Sequence, residues 1–131
     1  MAASQLISLV TGNGNSTPAP VIIATVQEYT IPELIKELSG RYGVKPTLAF
    51  DIARCESRLQ QFREDGSLVR GRKNSYDVGV FQINEEYHLE RSKALGFDIY
   101  TAAGNIEYAM WLMKRDGTRH WRWSEGCWST P

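Results

Sequence analysis

Two periodicities divide the chain. From Thr30 onward, apolar residues recur at the three- and four-residue spacing of a helix face, with Ile31, Leu34, Ile35, Leu38 and Tyr42 as the first stripe. Thr30 sits at an N-cap position, Pro32 falls in the first turn, Glu33 completes a capping box, and Gly40 and Gly43 are stop signals. A second helix is predicted from Pro46 to about Leu59, and another over "EEYHLERSKALG", ending at Gly96. The strongest pattern is "TAAGNIEYAMWLMKRDG": Thr101 caps it, Ile106, Ala109, Met110, Leu112 and Met113 mark the stripe, and Gly117 ends it. Between the second and third helices the period shortens. "SLVR" and "VGVFQIN", set among the turn residues of "EDGS" and "RGRKNS", predict a small antiparallel sheet. On that strand Gln82 and Asn84 would point away from Phe81 and Ile83. The sum is an α+β fold, predominantly helical, with one small antiparallel sheet inserted between helices.

The ends of the chain read differently. "TGNGNSTPAP", residues 11 to 20, has the composition of a flexible linker, and "VIIATV" after it is either strand-like or a clinging apolar segment. The division is therefore 1–29 as an N-terminal flexible segment and 30–131 as the compact domain. The tail "TRHWRWSEGCWSTP" is aromatic-rich and is expected to fold back on the domain.

Composition changes this picture only locally. A chain of 131 residues can bury one core, and its zero net formal charge gives no global field to recruit nucleic acid or a membrane surface. Between Arg41 and Lys73, eight basic residues stand against four acidic ones; a solvated charged face is the commoner meaning of such a run. No apolar run reaches the length of a membrane span, and "MAASQLISLV" has no basic residue before it and is short for a signal peptide. Cys55 and Cys127 lack CxxC spacing, so they are either bridged or two reduced core thiols. The bridge is the favoured expectation. It would close a long loop, worth about 4 kcal/mol in the chain-entropy model, and would imply an oxidising compartment.

One residue fits its helix badly. Ala49, Ile52, Ala53 and Glu56 share a face, and Glu56 is the acid among small and aliphatic side chains. It also lies near the C-terminal end, where the macrodipole disfavours an anion. Desolvation and dipole both raise a carboxyl pKa, and a carboxyl protonated near neutrality suits a general acid. The plainer account is a glutamate that reaches solvent or pairs with Arg54 or Arg58. Downstream, "SYDVGVFQIN" puts Asp77 two residues before Gly79, where the missing side chain would let a ligand approach the backbone. An acid on a helix facing a second acid and two amides on a sheet is what glycosidic cleavage needs: a proton donor, and an anion to answer the oxocarbenium charge. Taken alone, this stretch reads more simply as an Asp in a turn and polar residues on a solvated strand face.

Three motifs in order carry a resemblance. "ES" at Glu56-Ser57, "DVGVFQIN" from Asp77 to Asn84, and "AGNIEYAMWLM" from Ala103 to Met113 resemble those of the lysozyme superfamily, which includes lytic transglycosylases and lysozyme-like muramidases. The likeness spans roughly residues 45 to 115. It implies a lysozyme-like fold and a peptidoglycan-cleaving enzyme acting between N-acetylmuramic acid and N-acetylglucosamine. Glu56 would be general acid then base, Asp77 the nucleophile or electrostatic stabiliser, and Gln82, Asn84 and Asn105 would line the sugar cleft. The raised acid beside an ionised partner is lysozyme's own worked logic in general physical chemistry, borrowed here. The chain departs from both branches. The late A-Y-N motif of transglycosylases is missing, with the aromatic tail in its place, and animal lysozymes have more cysteines and a shorter gap between the acids.

The resemblance implies peptidoglycan glycan strands as partner, an exported location, a monomer, and no cofactor. An inert relative that only binds glycan or a partner is the alternative. His88 and His120 with the cysteines fit no compact zinc pattern. Trp111 is expected in the core, while Trp121, Trp123 and Trp128 are candidates for cleft wall or sugar stacking. "GNGNS" lacks the flanking strand and helix of a phosphate loop.

Overall fold

The computed structural model describes residues 3–5, 8–10, 21–23 and 27–130, with side chains from Glu28 onward. It is predominantly helical, with short antiparallel strand pairs. In the N-terminal segment, β1 (Ala3–Gln5) pairs with β4 (Gln27–Tyr29) and β2 (Ser8–Val10) with β3 (Val21–Ile23). The strand reading of "VIIATV" therefore holds over its first three residues, and composition gave no hint of the pairing with the chain start. The predicted linker at 11–20 lies outside the described residues.

The helices begin where their caps say. In α1 (Ile31–Tyr42) the Thr30 side chain accepts from the Glu33 amide while the Glu33 carboxylate accepts from the Thr30 amide, and Gly43 closes the helix at a left-handed φ of 69°. Its stripe Ile31, Leu34, Ile35 and Leu38 is buried; Tyr42 is half-buried and donates its hydroxyl to Glu107. α2 (Pro46–Ser57) starts on Pro46 and buries Ala49, Ile52, Ala53 and Ser57. α3 (Glu85–Ala94) has almost no apolar face, and only Ser92 is buried. It is held by local terms: the Asn84 side chain accepts from the Tyr87 amide, acids occupy the first turn and bases the last.

α4 (Ala102–Asp116) is the central helix. Asn105, Ile106, Tyr108, Ala109, Met110, Leu112 and Met113 are all buried, so it is covered on several sides, by α1 among others. Each such aliphatic side chain contributes roughly 1.5–3 kcal/mol relative to exposure. Trp111 departs from expectation. It is only half-buried, stacked on Tyr108 and flanked by the guanidinium groups of Arg91 and Arg115, so it seals the edge of the core. The tail folds back as expected, through a 3-10 helix (Arg119–Ser124, kinked at Trp121) and the short α5 (Glu125–Trp128). Cys127 of α5 is disulfide-bonded to Cys55 of α2.

The mid-chain sheet is smaller than its alternation predicts. β5 (Asp77–Val78) and β6 (Ile83–Asn84) pair as an antiparallel hairpin, and residues 79–82 form the turn. Gly79, Val80 and Phe81 are all buried, so the two-residue period fails there. A buried turn must still satisfy its peptide groups. Here side chains do it: Gln61 Oε1 accepts from the Val80 amide, and Asn105 Oδ1 accepts from the Phe81 amide. In turn Ser57 Oγ donates to the Val80 carbonyl, Asn105 Nδ2 to the Val78 carbonyl, and Trp121 Nε1 to the Phe81 carbonyl.

Candidate functional site

That turn fixes the relation between two acids. Glu56 is the penultimate residue of α2, and Ser57, which follows it, is bonded to the turn at 2.7 Å. Asp77 opens the same hairpin. The two carboxyl groups line one groove of about 570 Å³, together with Gln82, Asn84 and Asn74 on the hairpin side. Tyr87 and His88 of α3 and Arg119, His120, Trp121, Arg122 and Trp123 of the 3-10 helix form its opposite wall, with Ile83 and Leu112 at its floor.

Glu56 is half-buried and its carboxyl is pushed above the usual range, first by burial. The Ser124 hydroxyl, donating to Oε1 at 2.8 Å, pulls it back, and the charge of Asp77 pushes it up again. Among the described residues no arginine forms a salt bridge with it: Arg54 lies 3.9 Å from Asp51 instead. Asp77 is also pushed up by burial and drawn down by Asn84, whose Nδ2 donates to Oδ1 at 3.0 Å. The groove thus holds two carboxyl groups at unequal depth, each with one neutral donor.

The predicted site residues divide in two. Glu56, Asp77, Gln82 and Asn84 share the groove. Asn84 has both ends of its amide committed, to Asp77 and to the Tyr87 amide, so it orients Asp77 and caps α3. Gln82 is not an extended strand residue. Its φ is 50°, a left-handed conformation rare outside glycine, and its Nε2 donates to the Gly79 carbonyl at 3.0 Å while the residue still lines the groove. Asn105 does not line the groove: it is fully buried under the turn with its amide spent on backbone. Gly79 differs too. Its φ is 75°, and a Cβ there would strike the Gln61 and Asn105 side chains, so the glycine serves close internal packing and not a ligand.

Two residues that support the groove, Ser124 and Gln61, carried no sequence signal, and the histidines and tryptophans around it find new places. Ser124 reaches Glu56 from 68 positions away. Fully buried Gln61 is an amide staple for the turn. His88 and His120 stand edge to face with ring centroids 5.4 Å apart. His88 bonds the Tyr108 hydroxyl, and burial, then the neighbouring His120, push it down to about 4; His120 bonds Asp116 at 2.8 Å. With both cysteines in the disulfide, these histidines have no thiolate partners, and among the described residues no three His, Cys, Asp or Glu converge to hold a metal ion. Trp121 is buried as groove wall, whereas Trp123 is 89% exposed at the rim with Arg122 over its ring. The basic run of 41–73 disperses: Arg41 pairs with Glu37 and Arg70 with Glu85. Among the described residues no helix is long and apolar enough to cross a membrane.

Chemically, the groove offers a carboxyl that stays protonated more readily than usual beside a second, shallower one. Such a pair suits proton donation at one atom and charge stabilisation at a nearby one. No family model, curated protein or solved structure matches the chain.

Proposed function

We propose that this protein is a peptidoglycan-cleaving muramidase with a lysozyme-like domain, cutting the β-1,4 bond between N-acetylmuramic acid and N-acetylglucosamine. The observation that carries the reading is Glu56: a half-buried carboxyl with raised affinity for its proton, opening into a sugar-sized groove shared with Asp77. In this reading Glu56 donates its proton to the glycosidic oxygen as the bond to the muramic acid carbon breaks. Asp77 answers the positive charge that develops on that carbon. Glu56, now a carboxylate, then takes a proton from the acceptor hydroxyl, either water or the sugar's own 6-hydroxyl.

Other features fit around this. The exposed faces of Trp123 and Tyr87 at the groove rim suit stacking on sugar rings. The Cys55–Cys127 disulfide belongs in an oxidising compartment, which agrees with action outside the cytoplasm on cell-wall strands. The test is loss of turbidity in a cell-wall suspension by wild type and by Glu56→Gln. Clearing by wild type and none by the variant is the expected result. If wild type leaves the suspension cloudy yet sediments with the walls, the domain is a glycan-binding module and the enzymatic reading is wrong.

A further inference from the structure

Resting on the muramidase reading of the same groove, we infer that Ser124 is a positioning residue that dictates which oxygen of Glu56 carries the transferable proton. The argument is one of hydrogen counting. Ser124 Oγ has a single proton and two acceptors in reach, Glu56 Oε1 at 2.8 Å and the Trp121 carbonyl at 3.0 Å. The Trp128 indole N–H lies 3.1 Å from the same Oγ and 3.3 Å from the Trp121 carbonyl; at the shorter distance Oγ accepts from Trp128 while it donates onward. The chain runs from Trp128 Nε1–H to Ser124 Oγ–H to Glu56 Oε1, and each donation polarises the next.

Oε1 is therefore occupied as an acceptor. Among the described residues no donor meets Oε2, and no buried side-chain oxygen or nitrogen lacks a partner, so Oε2 is the oxygen open to the groove. A neutral Glu56 holds its proton on Oε2, the atom able to hand it to a leaving oxygen. When that proton departs, the Ser124 bond stays and becomes a bond to an anion, stronger than before. The relay thus favours the carboxylate produced by transfer over the acid that precedes it. Atoms balance simply: one proton leaves Oε2 for the leaving oxygen, and the Ser124 proton never leaves Oγ.

The tail is fastened where this matters. Cys55 immediately precedes Glu56, and Cys127, its disulfide partner, lies three residues after Ser124. Charged groups reach the surroundings of Glu56 from several elements. Asp77 on the hairpin acts on it directly. Arg119, His120 and Arg122 from the 3-10 helix and His88 from α3 line the same groove, and Glu125, at the start of α5, is exposed.

The experiment follows the Glu56 side-chain carboxyl by carbon-detected NMR through a pH titration in the full chain, and measures wall-lysis rate against pH. The variants are Ser124→Ala and the near-isosteric pair Ser124→Thr and Ser124→Val. Losing the hydroxyl, in Ala and Val, should move the Glu56 titration and the basic limb of the rate profile to higher pH, and lower kcat about tenfold with KM little changed. Ser124→Thr should restore wild-type behaviour, and if Ser124→Ala fails to fold the Thr/Val pair decides. A Glu56 titration that stays put without the hydroxyl, or a rate loss with an unmoved pH profile, overturns the inference. The NMR arm reads Ser124 even if wild type cleaves nothing; that second result would sink the muramidase reading alone.

Discussion

Ser57 Oγ donates to the carbonyl of Val80 at 2.7 Å and accepts from the Gln60 amide at 3.1 Å. This residue ties the end of the acid-bearing helix to the turn of the acid-bearing hairpin. Its own helix carbonyl, Ala53, lies farther away at 3.3 Å, so the single proton favours the hairpin. Ser57→Ala would leave the Val80 carbonyl buried without that donor, at a cost of roughly 1–3 kcal/mol. We expect urea denaturation to show a midpoint lowered accordingly with an unchanged slope. Activity should fall in the folded variant, because Glu56 and Asp77 lose a shared reference point. Full stability in Ser57→Ala would contradict this account of the turn.

The disulfide makes a second, independent clamp. Cys55 and Cys127 are 72 positions apart in sequence, and the chain-entropy model assigns such a cross-link about 4 kcal/mol. Cys55→Ser with Cys127→Ser should unfold at a markedly lower temperature. Because α5 has only four residues and no side-chain cap, only the packing of Trp128 and its bond to Ser124 would hold it near α2 once the disulfide is gone. Hydrogen exchange should therefore report faster opening in residues 119–128 than in α4. Uniform protection across both regions in the variant would show that the tail is held by packing alone.

What the sequence disclosed follows from how local each cause is. α1 and α4 are legible because cap, stripe and stop lie within one segment, from Thr30 to Gly43 and from Thr101 to Gly117. Glu56 stands out because it sits badly on its helix face and Asp77 because of the motif it opens, and both line one groove. The run from Val78 to Asn84 misleads, since its apolar residues are buried by a turn whose amides are satisfied by Gln61 and Asn105, distant in sequence. Asn105 is misplaced for the same reason: nothing within α4 distinguishes an amide facing a ligand from one facing a carbonyl. Ser124 could not be found at all, because its meaning comes from a contact made only after the tail folds back onto α2.

His88 provides a pH signature of the folded groove. Its ring is pushed from the usual value of 6.5 down to about 4, so between these values the unfolded chain binds the proton better than the folded one. Stability from this residue is present above pH 6.5 and is lost as pH falls through 4. Discounted for the solvent that still reaches the ring, the effect is on the order of 1–2 kcal/mol. Glu56 and Asp77, both raised, act in the opposite sense in part of that window, so the clean quantity is the difference between wild type and His88→Gln. The gap in unfolding free energy between pH 7 and pH 4 should be larger in wild type. An equal gap in both proteins would mean that His88 titrates alike in the folded and unfolded chain.

If the protein is the muramidase we propose, Asp77 bears on the fate of the cleaved sugar. Its Oδ1 is held by Asn84, while Oδ2, which no donor among the described residues meets, is the oxygen free to face a reacting carbon. A carboxylate oriented in this way by a dedicated amide is suited to stabilising the oxocarbenium charge, and water can then enter as acceptor. Asp77→Asn keeps the shape and removes the charge. We expect it to slow wall lysis roughly a hundredfold or more, by analogy with loss of other preorganised electrostatic groups. Mass spectrometry of muropeptides released by the wild type should then show reducing ends. Were Asp77→Asn nearly as active as wild type, with products one water lighter, the 6-hydroxyl route would operate instead: Glu56 alone would carry the proton traffic, and Asp77 would matter only for its effect on the Glu56 carboxyl.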